Sequence, residues 1–292
     1  MQQTINPDKQ TVESCLKNKS YYIDFYQREY VWSKETVEIL LRDIFYAFDL
    51  SYEEYKDAEL SQEVLEKFNW YYLNIFITNN INGKVFIVDG QQRLSTLTLI
   101  ATKLYHLTEN ELLKNTLKEC IYGQDKWKGN IFRLDHEKRH IVMEKILNGD
   151  TETPTSFKNK TEETLWYRYA DISKYIDDKS MDTKQLDTFI NYFLERLVLV
   201  ELTITKDDTS MIFEVINDRG EALKPFEILK GKLVGALDKN DTEKYSDLWD
   251  EALSHLFNME DDFFIDYIRS RFIFKRNSKI ETAINNSYHR YI

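Results

Sequence analysis

The chain has 292 residues, 42% of them hydrophobic and 14% aromatic, with a formal net charge of -11. That length holds one large domain or two, and the acidic balance excludes a generally basic surface that grips nucleic acid non-specifically. Two cysteines without metal-type spacing point to a reduced, cytoplasmic protein, no apolar run is long enough to span a bilayer, and scarce glycine and proline (8 and 3) favour a mainly helical chain.

Residues 1–20 are polar with weak helical character, and Tyr21 to Phe25 can form a first short strand. After an aromatic segment, Ser33 is a good N-cap for a helix whose apolar face is Val37, Leu40, Leu41, Ile44, Phe45 and Phe48. Residues 50–66 read as an exposed acidic linker or helix. Tyr71 to Ile77 and Lys84 to Val88 read as strands, joined through Asn79 to Gly83 as a hairpin. From Leu94 to about Arg196 the pattern is helical, with a low-hydrophobicity break at 148–160 around Pro154. Leu197 to Thr205 is the strongest strand of the second half and is expected to return to the first sheet. Asp207 or Asp208 caps a helix through Ile216, Asn217 to Gly220 ends it, and Pro225 opens another running to about Leu237. The remainder is helical. It stops at Ile292 inside an aromatic-rich segment, which reads as the approach to a downstream domain. There is no internal repeat.

One stretch organises the rest. Val85-Phe86-Ile87-Val88 is a short buried strand, Asp89-Gly90 breaks it, and Leu94, Leu97, Ala101 and Leu104 recur at helical spacing. A strand that stops at a glycine and passes straight into a helix builds a phosphate site. The glycine lets the backbone approach a ligand, the helix start offers N–H groups and positive dipole potential, and Arg93 adds a two-pronged contact. The competing reading is a capping box, in which Asp89 and Gln92 merely start the helix. Adjacent Gln91, Gln92 and Arg93 near a core are costly unless they find partners.

The segment IVDGQQRLSTL resembles the DGQQR signature of modification-dependent restriction proteins of the GmrSD type. Phe25-Tyr26-Gln27-Arg28-Glu29-Tyr30-Val31-Trp32 resembles their YQRxYxW segment, and Phe213 to Gly220, continuing to Leu223 and Lys230, resembles their FExxNxRGxxL segment. All three occur in the family's order. Two positions depart from it: Asp24 stands where a proline is usual, and Asn74 where glycine is frequent. The resemblance implies an α+β fold, a small mixed sheet of the ParB/sulfiredoxin type with a large helical insertion and a helical C-terminal part. On that basis residues 1–105 and about 196–237 form the core, 106–195 the insertion, and 238–292 the C-terminal part leading to a further domain.

The implied activity is nucleoside-triphosphate binding and hydrolysis in a prokaryotic anti-phage protein that senses modified double-stranded DNA. It would regulate an HNH-type nuclease domain in cis or in trans; this chain carries no HNH signature, and a homodimer is compatible with the sequence. In that pocket Gly90 and the N–H groups after it hold phosphates and Arg93 neutralises them. Asp89 holds Mg²⁺ or orients water, and Gln91 or Gln92 positions the attacking water. Gln27, Arg28, Asn217, Arg219, Gly220 and Lys230 complete the nucleotide contacts, so that three distant loops meet at one edge of a sheet. For Tyr26, Tyr30 and Trp32 aromatic packing is the simpler role, and for Asn217 and Arg219 turn chemistry is the alternative. The other reading of the whole is a nucleotide- or DNA-binding regulatory module without turnover.

Two further features compete. His136-Glu137-Lys138-Arg139-His140 is a literal HExxH, which on a helix could hold zinc with Glu137 as base. Lys138 and Arg139 argue instead for a solvated charged face, packed elsewhere through Leu134, Ile141, Ile146 and Leu147, so no zinc is expected. Arg269, Arg271, Lys275 and Arg276, interleaved with Tyr267, Phe272 and Phe274, suit either a DNA-binding surface or an ordinary surface helix.

Overall fold

The structure is a computed structural model that describes residues 6–17, 19–23, 29–125, 129–204, 224–235, 237, 239–256, 259–272 and 288. It divides into two compact units, 1–23 with 29–206 and 24–28 with 207–292. The class is α+β with a mixed sheet, as expected.

The first unit grows from the expected hairpin. β3 (Tyr71–Ile81) and β4 (Lys84–Asp89) pair antiparallel around Asn82 and Gly83, whose φ angles of 53° and 77° give the double left-handed turn that Asn-Gly favours. β8 (Leu197–Ile204) returns to this sheet as expected, parallel to β3. Its other edge is covered by β1 (Asn6–Thr11), antiparallel. Residues 1–20 were expected to be weakly helical; among the described ones only α1 (Val12–Lys17) is. A polar strand with Pro7 gives no alternation to read, and it is tolerated because it lies at the sheet edge. β2 (Tyr21–Tyr22) pairs parallel with β4 and with β7 (Leu134–Asp135), giving the order β1-β8-β3-β4-β2-β7.

Ser33 caps α2 (Lys34–Tyr55), its Oγ accepting from the Thr36 N–H at 3.2 Å. The helix buries Val37, Leu41, Ile44, Phe45 and Phe48. Phe45 stacks on Phe189 at 4.2 Å, while Phe48 packs against Phe68 and Tyr192. Short α3 (Gln62–Lys67) leads back into β3. The centre is α4 (Gln91–Leu107), buried on nearly every face of its first three turns. Its polar residues are satisfied locally: Ser95, Thr96, Thr98 and Thr102 each donate to the carbonyl four residues back.

The expected all-helical insertion contains α5 (Glu111–Ile121), α6 (Glu137–Asn148), α7 (Lys160–Asp177) and α8 (Thr183–Glu195). It also holds a hairpin, β5 (Tyr122–Asp125) with β6 (Gly129–Phe132), and β7, which joins the main sheet. These strands are too short to show a period and exist because of what they pair with.

In the second unit α9 (Pro225–Gly235) begins at Pro225 as expected, with the Glu227 carboxylate reaching back to the Lys224 N–H at 2.7 Å. It packs with α10 (Lys239–Ser254) and α11 (Glu260–Phe272) around Leu229, Ile268 and Tyr288. The helix therefore belongs to the C-terminal unit, and the division falls near 207 rather than at the expected 238. No helix among the described residues is long and apolar enough to cross a membrane.

Cys15 and Cys120 are both buried, and burial pushes each thiol up to about 12, so both stay protonated near neutral pH. A disulfide reagent at pH 8 is expected to label neither in the native protein and both after denaturation. Rapid native labelling of either would contradict this packing.

Candidate functional site

Three strand ends meet at one edge. Because β2, β4 and β7 run parallel, their carboxyl ends face the same way, at Ile23, Asp89 and Asp135. In open sheets such an edge is where ligands bind.

At its centre Gly90 has φ 96°. A Cβ there would lie 2.6 Å from Phe76 Cβ and 3.2 Å from Phe76 Cα, so both the dihedral and the space require glycine. Gly90 is itself the N-cap of α4, which starts without a side-chain cap, while Asp89 remains in β4. The capping-box reading is thereby corrected: the turn is made by the glycine, and Gln92 does not reach back to the helix start.

Gln92 looks elsewhere. It is 6% exposed; its Oε1 accepts from the Val31 N–H at 2.9 Å and the Trp32 N–H at 3.3 Å, and its Nε2 donates to the Glu29 carbonyl at 2.8 Å. The expected water-positioning role does not fit an amide engaged this fully, and Gln92 instead fastens residues 29–32 to α4. Gln91, 7% exposed, accepts from Arg139 Nη2 at 3.2 Å. The partners that two buried glutamines demand are thus supplied by the protein.

Arg93 is different. It is half-buried, and its guanidinium lies 5.9 Å above the Trp32 ring with Asp89, Tyr71 and Tyr72 as charge neighbours. Burial lowers its pKa, and the nearby Asp89 carboxylate opposes that shift. Among the described residues it makes no hydrogen bond and no ion pair within 4 Å. Tyr72, 46% exposed, adds aromatic surface on β3 beside it. Asn74, standing where glycine is frequent in the resembling family, has φ 120°, a region that glycine occupies without strain.

The other expected residues divide. Gln27, Arg28, Asn217, Arg219, Gly220, Lys275 and Arg276 lie outside the described residues. Lys230 is buried in the second unit and pairs with Asp250 at 2.6 Å, so its ammonium is already engaged there. Arg269 contacts Asp266 at 3.4 Å, and Arg271 lies over the Tyr267 ring at 5.9 Å. The HExxH does not form a metal pair on one helical face. His136 is the extended N-cap of α6, its Nδ1 accepting from the Lys138 N–H at 3.1 Å, and His140 turns to Glu144 at 3.2 Å. Among the described residues no group of three His, Cys, Asp or Glu side chains could hold a metal ion.

Arg139 is the residue the sequence reading missed. On the expected solvated face Arg139 is buried while Glu137 is exposed: Arg139, Val142, Met143 and Ile146 form the packed side of α6, and Ile141, expected to pack, is exposed. Their spacing of three and four was visible, but a charged residue at its head hid it.

A model of the GmrSD restriction endonuclease N-terminal domain matches residues 12–234. The chain belongs to this family. No curated protein matches it. The match sets the chain in restriction and phage defence. The match to this GmrSD N-terminal domain takes in β2, Asp89–Arg93 and β8 and ends within α9, and it leaves Arg269, Arg271, Lys275 and Arg276 beyond its end.

Proposed function

We propose that this GmrSD N-terminal domain binds a nucleoside triphosphate at the β4–α4 turn and hydrolyses it, in a protein that senses modified DNA and controls a nuclease domain. The observation that carries this reading is Arg93: a half-buried guanidinium beside an uncapped helix start, without a hydrogen bond or ion pair among the described residues. A cation so placed suits phosphate oxygens. Gly90 lets the chain pass close to them, and Trp32, Tyr71 and Tyr72 wall the same side. Gln91, oriented by the hydrogen bond it accepts from Arg139, takes the water-positioning role, since both ends of the Gln92 amide are committed to the backbone of residues 29–32. Mg²⁺ on a phosphate chain needs only one or two protein carboxylates; Asp89 would hold it, and the ion would neutralise charge on the phosphates. Arg269, Arg271, Lys275 and Arg276 offer the DNA a basic run.

The engagement of both glutamine side chains by the protein itself favours one alternative, a nucleotide-dependent sensor without turnover. Phosphate release from each nucleoside triphosphate with Mg²⁺, with and without modified DNA, separates the two. Hydrolysis is expected, and is expected to be lost in Asp89→Asn. Tight binding with no release would leave the sensor reading, and no binding of any triphosphate would remove both.

A further inference from the structure

We infer that Arg139 is a buried positive charge held behind the start of α4 for a bound polyphosphate, and that it acts together with Arg93 although it lies outside the three segments that resemble the family's motifs. The inference rests on the proposed triphosphate site and names the feature that would favour a phosphate chain over a single phosphate there.

Topology delivers the residue. β7 is parallel to β2, as β4 is, so the chain enters α6 at the same edge at which it enters α4. Arg139, in the first turn of α6, is 5% exposed. Its Nη1 donates to Ser95 Oγ at 2.5 Å and its Nη2 to Gln91 Oε1 at 3.2 Å. Gln91 and Ser95 are one helical turn apart on α4, and Ser95 Oγ in turn donates to the Gln91 carbonyl at 2.6 Å. The guanidinium is therefore fixed against the first two turns of the helix whose N-terminus forms the turn.

Both partners are neutral. Among the described residues no carboxylate lies within ion-pair distance of Arg139, and its charge neighbour is Tyr30, a phenol that burial pushes up to about 12 and that shares a hydrogen bond with Thr96. Other buried or half-buried charges do have counter-ions: Glu201 with Lys19, Lys230 with Asp250, and Arg168 with Asp171. A fully desolvated cation without a counter-ion is expensive, and an apolar side chain would fill the same space without that cost. Neutral acceptors orient the guanidinium but do not quench it, so its field adds to that of the helix terminus.

Arg93 lies two residues beyond Gln91, about 200° around the helix, and so approaches from the far side. Two positive charges and one helix terminus suit a polyanion. Arg139 acts through the field and through Gln91, and is a positioning residue rather than a catalytic one.

The test is calorimetric binding of inorganic triphosphate and of nucleoside triphosphates to the full chain and to two variants. Arg139→Gln keeps the hydrogen bonding without the charge, and Arg139→Lys keeps the charge. Arg139→Gln is expected to bind roughly ten- to a hundredfold more weakly, and Arg139→Lys within about threefold of the parent. A Gln variant that binds as the parent does, or equal losses in both, overturns the inference, because a purely structural brace does not depend on charge. Should the variants fold poorly, the Arg139 Nε–H resonance of the parent protein decides: it must shift on titration with inorganic triphosphate, and an unmoved signal at saturation counts against the idea. Binding of inorganic triphosphate but of no nucleotide would sink the nucleotide reading while leaving Arg139 to be judged on the inorganic ligand. If neither binds, both fall.

Discussion

Gly90→Ala is expected to lower stability by about 2–4 kcal/mol, whereas Gly83→Ala costs about 1 kcal/mol. The two glycines share a left-handed conformation, at φ 96° and 77°, so an alanine is strained at both. They differ in space. A Cβ at Gly83 meets nothing within 4 Å, but one at Gly90 would stand 2.6 Å from Phe76 Cβ. Phe76 is fully buried, faces Tyr21 edge-on at 6.0 Å and sits on a strand in the middle of the sheet, so it has nowhere to yield. Any relief must come from moving the β4–α4 turn, and with it the start of α4. Denaturant titrations of the two variants check the difference, and equal losses would show that the contact with Phe76 is not what demands a glycine. The result bears on function because the turn that this contact fixes is the one proposed to receive the phosphates.

Which parts were legible follows from the range of the signal. The β3–β4 hairpin, the Ser33 cap, the strand–glycine–helix passage and β8 are all encoded within a few residues, by alternation, turn chemistry or an apolar run, and each stands where it was expected. β5 and β6 are too short to show a period, and β1 and β7 are defined by partners far along the chain. Asn6–Thr11 is a strand only because β8 lies beside it, and Leu134–Asp135 only because β2 does. The site shows the same division. Gly90 and Arg93 could be recognised from their neighbours in sequence. The task of Gln92 could not, since its three contacts are to backbone sixty or more residues earlier. Arg139 was misread because charge is normally a sign of exposure, and here the guanidinium is instead buried against Ser95 and Gln91. The place of α9 was equally hidden: nothing local tells a helix that it packs on Ile268 and Tyr288.

Arg93→Ala separates the fold from the proposed chemistry most sharply. Its guanidinium makes no hydrogen bond and no ion pair among the described residues, so removing it leaves no partner stranded. What the folded protein loses is a loose contact with the Trp32 ring at 5.9 Å, about 0.5–1 kcal/mol, and what it gains is release from a partly desolvated charge. These oppose each other, and stability is expected to stay within about 1 kcal/mol of the parent. Triphosphate binding is another matter. A charge-assisted contact to phosphate contributes about 1.5–3 kcal/mol, so affinity is expected to fall roughly ten- to a hundred-and-fifty-fold. The salt dependence of binding should shrink with it, because one of the charges that neutralises the ligand is gone. Denaturation curves alongside calorimetric titrations at two ionic strengths read all three quantities. A folded Arg93→Ala protein that binds triphosphate as tightly as the parent, with the same response to salt, would mean that the unpaired arginine beside Gly90 serves something other than a phosphate.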